Sequence, residues 1–261
     1  MTPGLYHMTF DEYLAVPALS RSDIVKLLVS PLKYKEAEDK DTEAMEFGRA
    51  YHTYMLEIDR FEKEYIVKPK FKGKGSKARR EEWEEENKDK NTITIEGKDA
   101  LKAMCDRLYK HPIAGPMLSD EGESELVVVW NDPITGALCK ARIDRLNKKI
   151  PAEVDLKSCL DAREGPFKKS AWDKGYPIQA AFYRYGLYQV TGIEHPFYFI
   201  AQEKKPPYDL IVYKAGPDML YHGQLACARG LAIYSECLRT DKWPGYPEET
   251  KELGVPGWVK N

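Results

Sequence analysis

The run from Ala141 to Ser158, ARIDRLNKKIPAEVDLKS, constrains the chain more than any other segment, because its apolar and polar residues alternate with the period of a strand. In CKARID, Lys140, Arg142 and Asp144 fall on one strand face, and Cys139, Ala141 and Ile143 on the other. AEVDLKS repeats the pattern. Ala152, Val154 and Leu156 point into a core, while Glu153, Asp155 and Lys157 share the opposite face. The interval Asn147 to Pro151 is short enough to be a hairpin turn. Three carboxylates and one ammonium therefore meet in one place. Such a cluster is costly unless a hard cation neutralises it, and carboxylates with backbone carbonyls are the oxygen ligands that Mg2+ takes. A lysine beside them can hold an attacking water and stabilise developing negative charge. Taken alone, the same run also fits a row of solvated charges on an antiparallel sheet.

Two further segments bear on that choice. Pro177-Ile-Gln179-Ala-Ala-Phe-Tyr183 begins a helical pattern with Gln179 and Tyr183 one turn apart on the same face. Upstream, Glu46-Phe-Gly48-Arg-Ala-Tyr-His52 places a histidine on a helix face with Met45, Gly48 and Met55. Such a histidine is either a satisfied core residue or a metal ligand.

Asp144 followed by Asp155-Leu156-Lys157 resembles the PD-(D/E)XK element of that nuclease superfamily. The Q-x-x-x-Y at Gln179 and Tyr183 and the G-x-x-x-H at Gly48 and His52 resemble the exonuclease branch of the superfamily. LSRSDIVKLLVSPLKYK looks like the opening helix of RecE-type (exonuclease VIII-like) phage and prophage exonucleases. ELVVVWNDPITGALCKARID fits as well, a strand, an Asp-Pro turn and a strand ending in the first acidic residue. The likeness spans roughly Leu19 to Tyr188. One departure is that the usual Pro-Asp is Ile143-Asp144 here.

The resemblance implies that His52, Asp144, Asp155 and the Leu156 carbonyl hold one or two Mg2+ ions, with Mn2+ as a substitute, and that Lys157 acts on the scissile phosphate. Gln179 and Tyr183 would orient the Lys157 side, the water or the DNA backbone. Glu125 either joins the metal shell or is an exposed strand glutamate. Glu153 lies one step outside the D-x-K element and reads as an electrostatic or DNA-facing neighbour. The implied activity is hydrolysis of duplex DNA from a 5′ end, leaving a 3′ single strand for an annealing-type recombinase. Polarity and end requirement come from the resemblance alone. Ring-shaped relatives imply a homo-oligomer. A site-specific endonuclease and a non-catalytic DNA-end binding module are the alternatives.

With 261 residues the chain can bury one substantial core, so a single domain over 1–261 is expected. A composition of 43% hydrophobic and 31% charged residues suits a globular protein. No apolar run reaches membrane-spanning length, and MTPGLYHMTFDEY lacks the order of a secretion signal, which predicts a cytoplasmic protein without membrane partners. Cys105, Cys139, Cys159, Cys227 and Cys237 are scattered and without a C-x-x-C pair, which predicts reduced thiols and speaks against an iron–sulfur nuclease.

The net charge of −2 does not advertise a nucleic-acid binder, but its distribution is uneven. Lys68 to Arg80 carries seven cations with Gly73 and Gly75 among them, predicting a loop-rich basic arm over 68–90 ahead of a helix starting in EEWEEE. The arm either grips phosphates, with Lys77, Arg79 and Arg80 best placed, or is a solvated loop screened by the acidic run. Trp172, among the cations between Lys157 and Lys174, either stacks on DNA bases or packs in the core, the core being favoured. The coarse order is helices near 20–29, 42–57 and 97–109, strands near 124–130, 138–146 and 153–158, the Pro177 helix, two more strands, and a helix over 218–238. This is an α/β (α+β) chain with a central mixed sheet flanked by helices, and the resemblance implies that its core is restriction-endonuclease-like. The segment 243–261 is turn-rich and reads as a surface wrap or a mobile end.

Overall fold

The alternating run folds as the strands it predicts, and a computed structural model describes residues 1–36 and 42–255. The chain opens with β1 (Gly4–Tyr6), α1 (Phe10–Ala15), α2 (Arg21–Val29) and α3 (Pro31–Glu36). Next come α4 (Glu43–Leu56), α5 (Ile58–Glu64), β2 (Tyr65–Lys68), α6 (Ser76–Glu86), β3 (Asn91–Thr94), α7 (Ile95–Tyr109) and α8 (Ala114–Ser119). The meander β4 (Gly122–Asn131), β5 (Leu138–Asn147) and β6 (Ala152–Cys159) follows. The chain then runs through α9 (Glu164–Asp173), α10 (Tyr176–Thr191), β7 (Phe197–Glu203), β8 (Leu210–Lys214) and α11 (Pro217–Thr240).

Six strands form one mixed sheet in the order β1-β4-β5-β6-β7-β8. All neighbours are antiparallel except β6 and β7, whose parallel pairing requires a crossover, supplied here by α9 and α10. Ser20 begins α2 with a reciprocal capping box to Asp23, as LSRSD predicts. Thr42 and Thr94 cap α4 and α7 through their side chains.

Helices cover both faces of the sheet, so strand residues are buried on either side. On one face Tyr51 of α4 and Leu101, Met104 and Leu108 of α7 pack on Val154, Leu156 and Ile200. On the other, Ile24 and Leu27 of α2, Phe182 of α10 and Leu231 of α11 pack on Val128, Trp130 and Ile143. Helices α10 and α11 approach so closely at Gly223 that a Cβ there would lie 2.0 Å from the Pro177 carbonyl oxygen. Among the described residues no helix is long and apolar enough to cross a membrane.

Several expectations change. The 68–90 segment contains α6, which begins at Ser76, so the acidic run fills its C-terminal half rather than its first turn. Gly75, at φ +75, turns the chain into the helix and allows it to start early. The arm's cations are largely matched by neighbours. Lys68 and Arg80 pair with Glu84, Lys70 with Glu96 and Lys77 with Glu81, while Arg79 donates to the Lys72 carbonyl. Met45 is exposed rather than on a buried face with Met55. At the start of the turn-rich C-terminal segment, Trp243 stacks on Tyr34 with ring centroids 5.6 Å apart. Residues 256–261 of that segment lie outside the described residues. The five cysteines are free thiols.

Candidate metal centre

The centre forms where the sheet's regularity breaks. Strand β5 pairs with β6 only at Arg145–Val154, Leu146–Glu153 and Asn147–Ala152, and the next pair in that register would be Asp144 with Asp155. There the two strands part. On the other side of β5, Ser124–Arg145 and Leu126–Ile143 are paired, while Glu125, opposite Asp144, is not. Glu125 adopts φ +53, a left-handed conformation costing a side-chain-bearing residue about 1–3 kcal/mol. The kink also resets the alternation. Ile143 and Leu146 enter the same core cluster although they are three residues apart, which a regular strand forbids.

Asp144 Oδ2 uses the gap to accept a hydrogen bond from the Leu156 N–H at 2.7 Å, replacing the missing ladder bond. A strand residue sends its N–H and C=O out of the same edge, so the Leu156 carbonyl shares that gap. His52 arrives from α4 with Nδ1 3.3 Å from Asp144 Oδ2. Its neighbour Tyr51 is anchored by donating to Gln202 Oε1 at 2.8 Å, which fixes this turn of the helix. His52, Glu125 and Asp144 each offer a ligand atom, all within 4.8 Å of one another. Glu125 is therefore no exposed strand glutamate. It is 8% exposed and held by Arg142, whose Nε lies 2.9 Å from Glu125 Oε2.

Asp155 sits across the gap, 1% exposed. Its Oδ1 accepts from Gln179 Nε2 at 2.5 Å, while Lys157 Nζ lies 2.6 Å from Oδ2 as an ion pair without an aligned hydrogen bond. The Lys157 ammonium also stands 4.7 Å from the centre of the Tyr176 ring. Tyr183 lies a turn beyond Gln179, edge-on to Phe197 and between two core clusters. Burial pushes its phenol well above the usual range.

The electrostatics reflect crowded carboxylates. Burial alone would lower the His52 pKa, but the Asp144 carboxylate outweighs it and holds the imidazole up, at about 9. Burial and the Asp144 charge push Glu125 up to about 7. Burial likewise lifts Asp155 to about 6 against the pull of Lys157, with Asp144 adding to the rise. Asp144 alone stays below the ordinary range, because His52, Lys157 and the Leu156 N–H together exceed the cost of its burial. The donor set is one imidazole nitrogen, three carboxylates and a strand carbonyl, with the His52, Glu125 and Asp144 ligand atoms already converging. That set fits a divalent cation with oxygen and nitrogen preference.

Against this geometry, the PDDEXK-like domain of unknown function (DUF3799) matches residues 28–253. The chain belongs to that family. Its crossover between β6 and β7 carries Gln179 to the same centre as the D-x-K strand. No curated protein matches the chain. Among solved structures, a candidate exonuclease from Eubacterium rectale aligns over 96% of both chains with TM-score 0.62 and 15% identity, a likeness of fold. A second structure, SSO0001, aligns over 77% of this chain and 87% of its own with TM-score 0.34 and 11% identity.

Other predicted positions lie elsewhere. Glu153 is fully buried and faces no solvent from which DNA could approach. Both of its carboxylate oxygens lack partners, and burial raises its pKa well above the ordinary value, against the pull of Arg184. A carboxyl with a raised folded pKa contributes its full stability below its unfolded pKa near 4.5 and loses it as pH rises. Glu153→Gln is accordingly expected to raise Tm at pH 8 by about 2–6 °C, the scale of a linkage contribution of about 1.4 kcal/mol, and by nothing at pH 4. Thermal unfolding at the two pH values checks this, and an equal effect at both would show that charge is not the cause. Trp172 is 50% exposed and edge-on to His222, so it is not the core residue favoured from the sequence. Lys140 keeps the strand face that alternation gives it and has a structural partner there. Its Nζ donates to the carbonyls of Tyr13, Leu14 and Val16, tying the end of α1 to β5. Lys77, Arg79 and Arg80 sit on α6 among the ion pairs already described. Sequence reasoning places Arg142 on the Asp144 face without giving it a role, and it misses Tyr176 and also Arg21, whose Nη2 donates to Gln179 Oε1, since nothing in the local pattern of these two distinguishes them from surface or core residues.

Proposed function

We propose that this PDDEXK-like protein is a Mg2+-dependent exonuclease acting on linear double-stranded DNA, with Mn2+ able to substitute. The observation that carries the reading is the Lys157 ammonium, 2.6 Å from Asp155 and beside the converging His52, Glu125 and Asp144. His52, Asp144, Asp155 and the Leu156 carbonyl, with Glu125, would hold the ion. The chemistry supplied by the ion when bound is Lewis acidity, which polarises a phosphodiester and lowers the pKa of a water molecule. Asp155 holds Lys157 on one oxygen while Gln179 fixes the other, so the ammonium is kept at the edge of the acidic cluster. From there Lys157 can hold the attacking water and stabilise charge on the phosphorane. Asp144 spends one oxygen on the Leu156 N–H, which locks the carboxylate into the gap between strands.

The finer reading rests on the RecE-type resemblance. Digestion runs 5′ to 3′ and leaves 3′ single-stranded tails for phage-type recombination. An annealing recombinase is the partner, a homo-oligomer the working form and the cytoplasm the compartment. The test is a linear duplex labelled at its 5′ ends in one reaction and its 3′ ends in another, with Mg2+ or EDTA and a closed circle alongside. Early release of the 5′ label, abolished by EDTA and with the circle untouched, is the expected result. Cutting of the circle would make the protein an endonuclease, and retained label with bound DNA would make it an end-binding module.

A further inference from the structure

The Q-x-x-x-Y glutamine is itself held by a residue from the far N-terminal side of the chain. Arg21, the first residue of α2, reaches α10 and donates through Nη2 to Gln179 Oε1 at 3.3 Å. Its Nη1 donates to the Lys174 carbonyl at 3.4 Å, at the joint between α9 and α10. The Arg21 backbone is well anchored. Leu19 forms a bridge to β5, donating to the Leu138 carbonyl and accepting from the Lys140 N–H, both at 2.8 Å. Ser20 then starts the helix through its capping box. An anchored stretch of backbone thus delivers the guanidinium to α10, where it donates at two points.

We infer that Arg21 is a positioning residue that sets the orientation of the Gln179 amide, and through it the Asp155 carboxylate; the inference rests on the nuclease reading above. A primary amide has an acceptor end and a donor end, and arginine can only donate. With Oε1 taken by Arg21, Gln179 must present Nε2 to Asp155 Oδ1, as it does at 2.5 Å. Reversed, the amide would set its oxygen against a carboxylate oxygen, and Asp155 would lose the bond that leaves its other oxygen to Lys157. A partner that fixes an active carboxylate from outside typically changes activity by about 10–100-fold when removed.

The experiment compares Arg21→Met, Gln179→Ala and the double variant of the full chain on end-labelled linear duplex with saturating Mg2+. Arg21→Met is expected to lower kcat by about 10-fold with KM within about 2-fold. It should cause no further loss in the Gln179→Ala background, since both act through one contact. Arg21→Lys, which can still donate to Oε1, should recover part of the rate. Losses that multiply in the double variant would overturn the inference. So would a change confined to KM with the salt slope of DNA binding shallower by about one, which would make Arg21 a phosphate contact. A second readout needs no activity. The Gln179 side-chain amide protons, observed by NMR, should be shifted and exchange-protected by the carboxylate bond in the wild type, and lose both properties in Arg21→Met. An unchanged amide signal would refute the positioning role even if the wild type digested no DNA, an outcome that would separately remove the nuclease reading.

Discussion

Lys157→Ala is expected to reduce kcat for DNA hydrolysis by about 10²–10³-fold, the usual loss when a single group aimed at developing charge is removed. The ammonium is the one cation in direct contact with Asp155 among the described residues, and it contributes to holding both Asp155 and Asp144 ionised. Its loss therefore acts twice, by removing the group that faces the reacting phosphate and by leaving a buried carboxylate without its counter-charge. DNA affinity should change little, because a single cation beside the acidic cluster contributes about one phosphate contact at most. Single-turnover kinetics together with a binding titration check the claim. Undiminished turnover in the variant would place the chemistry elsewhere, whatever the fold.

The second large effect concerns Asp144→Asn. The amide oxygen of the substituted side chain can still accept from the Leu156 N–H, so the gap between β5 and β6 keeps its shape while the charge disappears. Divalent-metal affinity, measured by calorimetry with Mn2+, should fall more than about 100-fold, since losing a mere supporting partner of a ligand already costs about 10–100-fold. The metal-free protein reports the same change through His52. In the wild type the raised pKa, about 9, means that the His52–Asp144 pair contributes fully below pH 6.5 and is lost as pH climbs to about 9. In Asp144→Asn the largest cause of that rise is gone, with Glu125 the lesser one, and burial remains, so the imidazole should titrate well below 9 in an NMR experiment. A His52 that still titrates near 9 would mean that Glu125 governs it rather than Asp144.

The strands and helices that build the centre are legible because each announces itself locally. Alternation marks 138–146 and 153–158, and LSRSD carries a capping box that the structure forms at Ser20 and Asp23. Motif and spacing single out His52, Asp144, Asp155, Lys157 and Gln179, and these side chains lie around one gap. The errors share a cause. Periodicity assigns Met45 and Glu153 each to a face, and a face means little until its neighbour is known. Met45 proves to be exposed, and Glu153 is sealed in the interior.

What the sequence determined by itself is the inventory: which segments are strands, that 147–151 turns the chain between two of them, and which carboxylates and which lysine those strands carry. What only the tertiary structure decided is how they meet. Strict alternation predicts Asp144 and Asp155 side by side in a continuous ladder, whereas β5 and β6 part at that pair and Glu125 takes a left-handed turn opposite it. Hydrogen-bond ladders are local and repeat with the sequence, so periodicity foretells them. Around the break gather side chains from helices on both faces, His52 from α4 and Gln179 from α10, and behind Gln179 an arginine 158 residues away in sequence. Contacts at that separation leave no period in the chain, because they are set by packing and not by spacing.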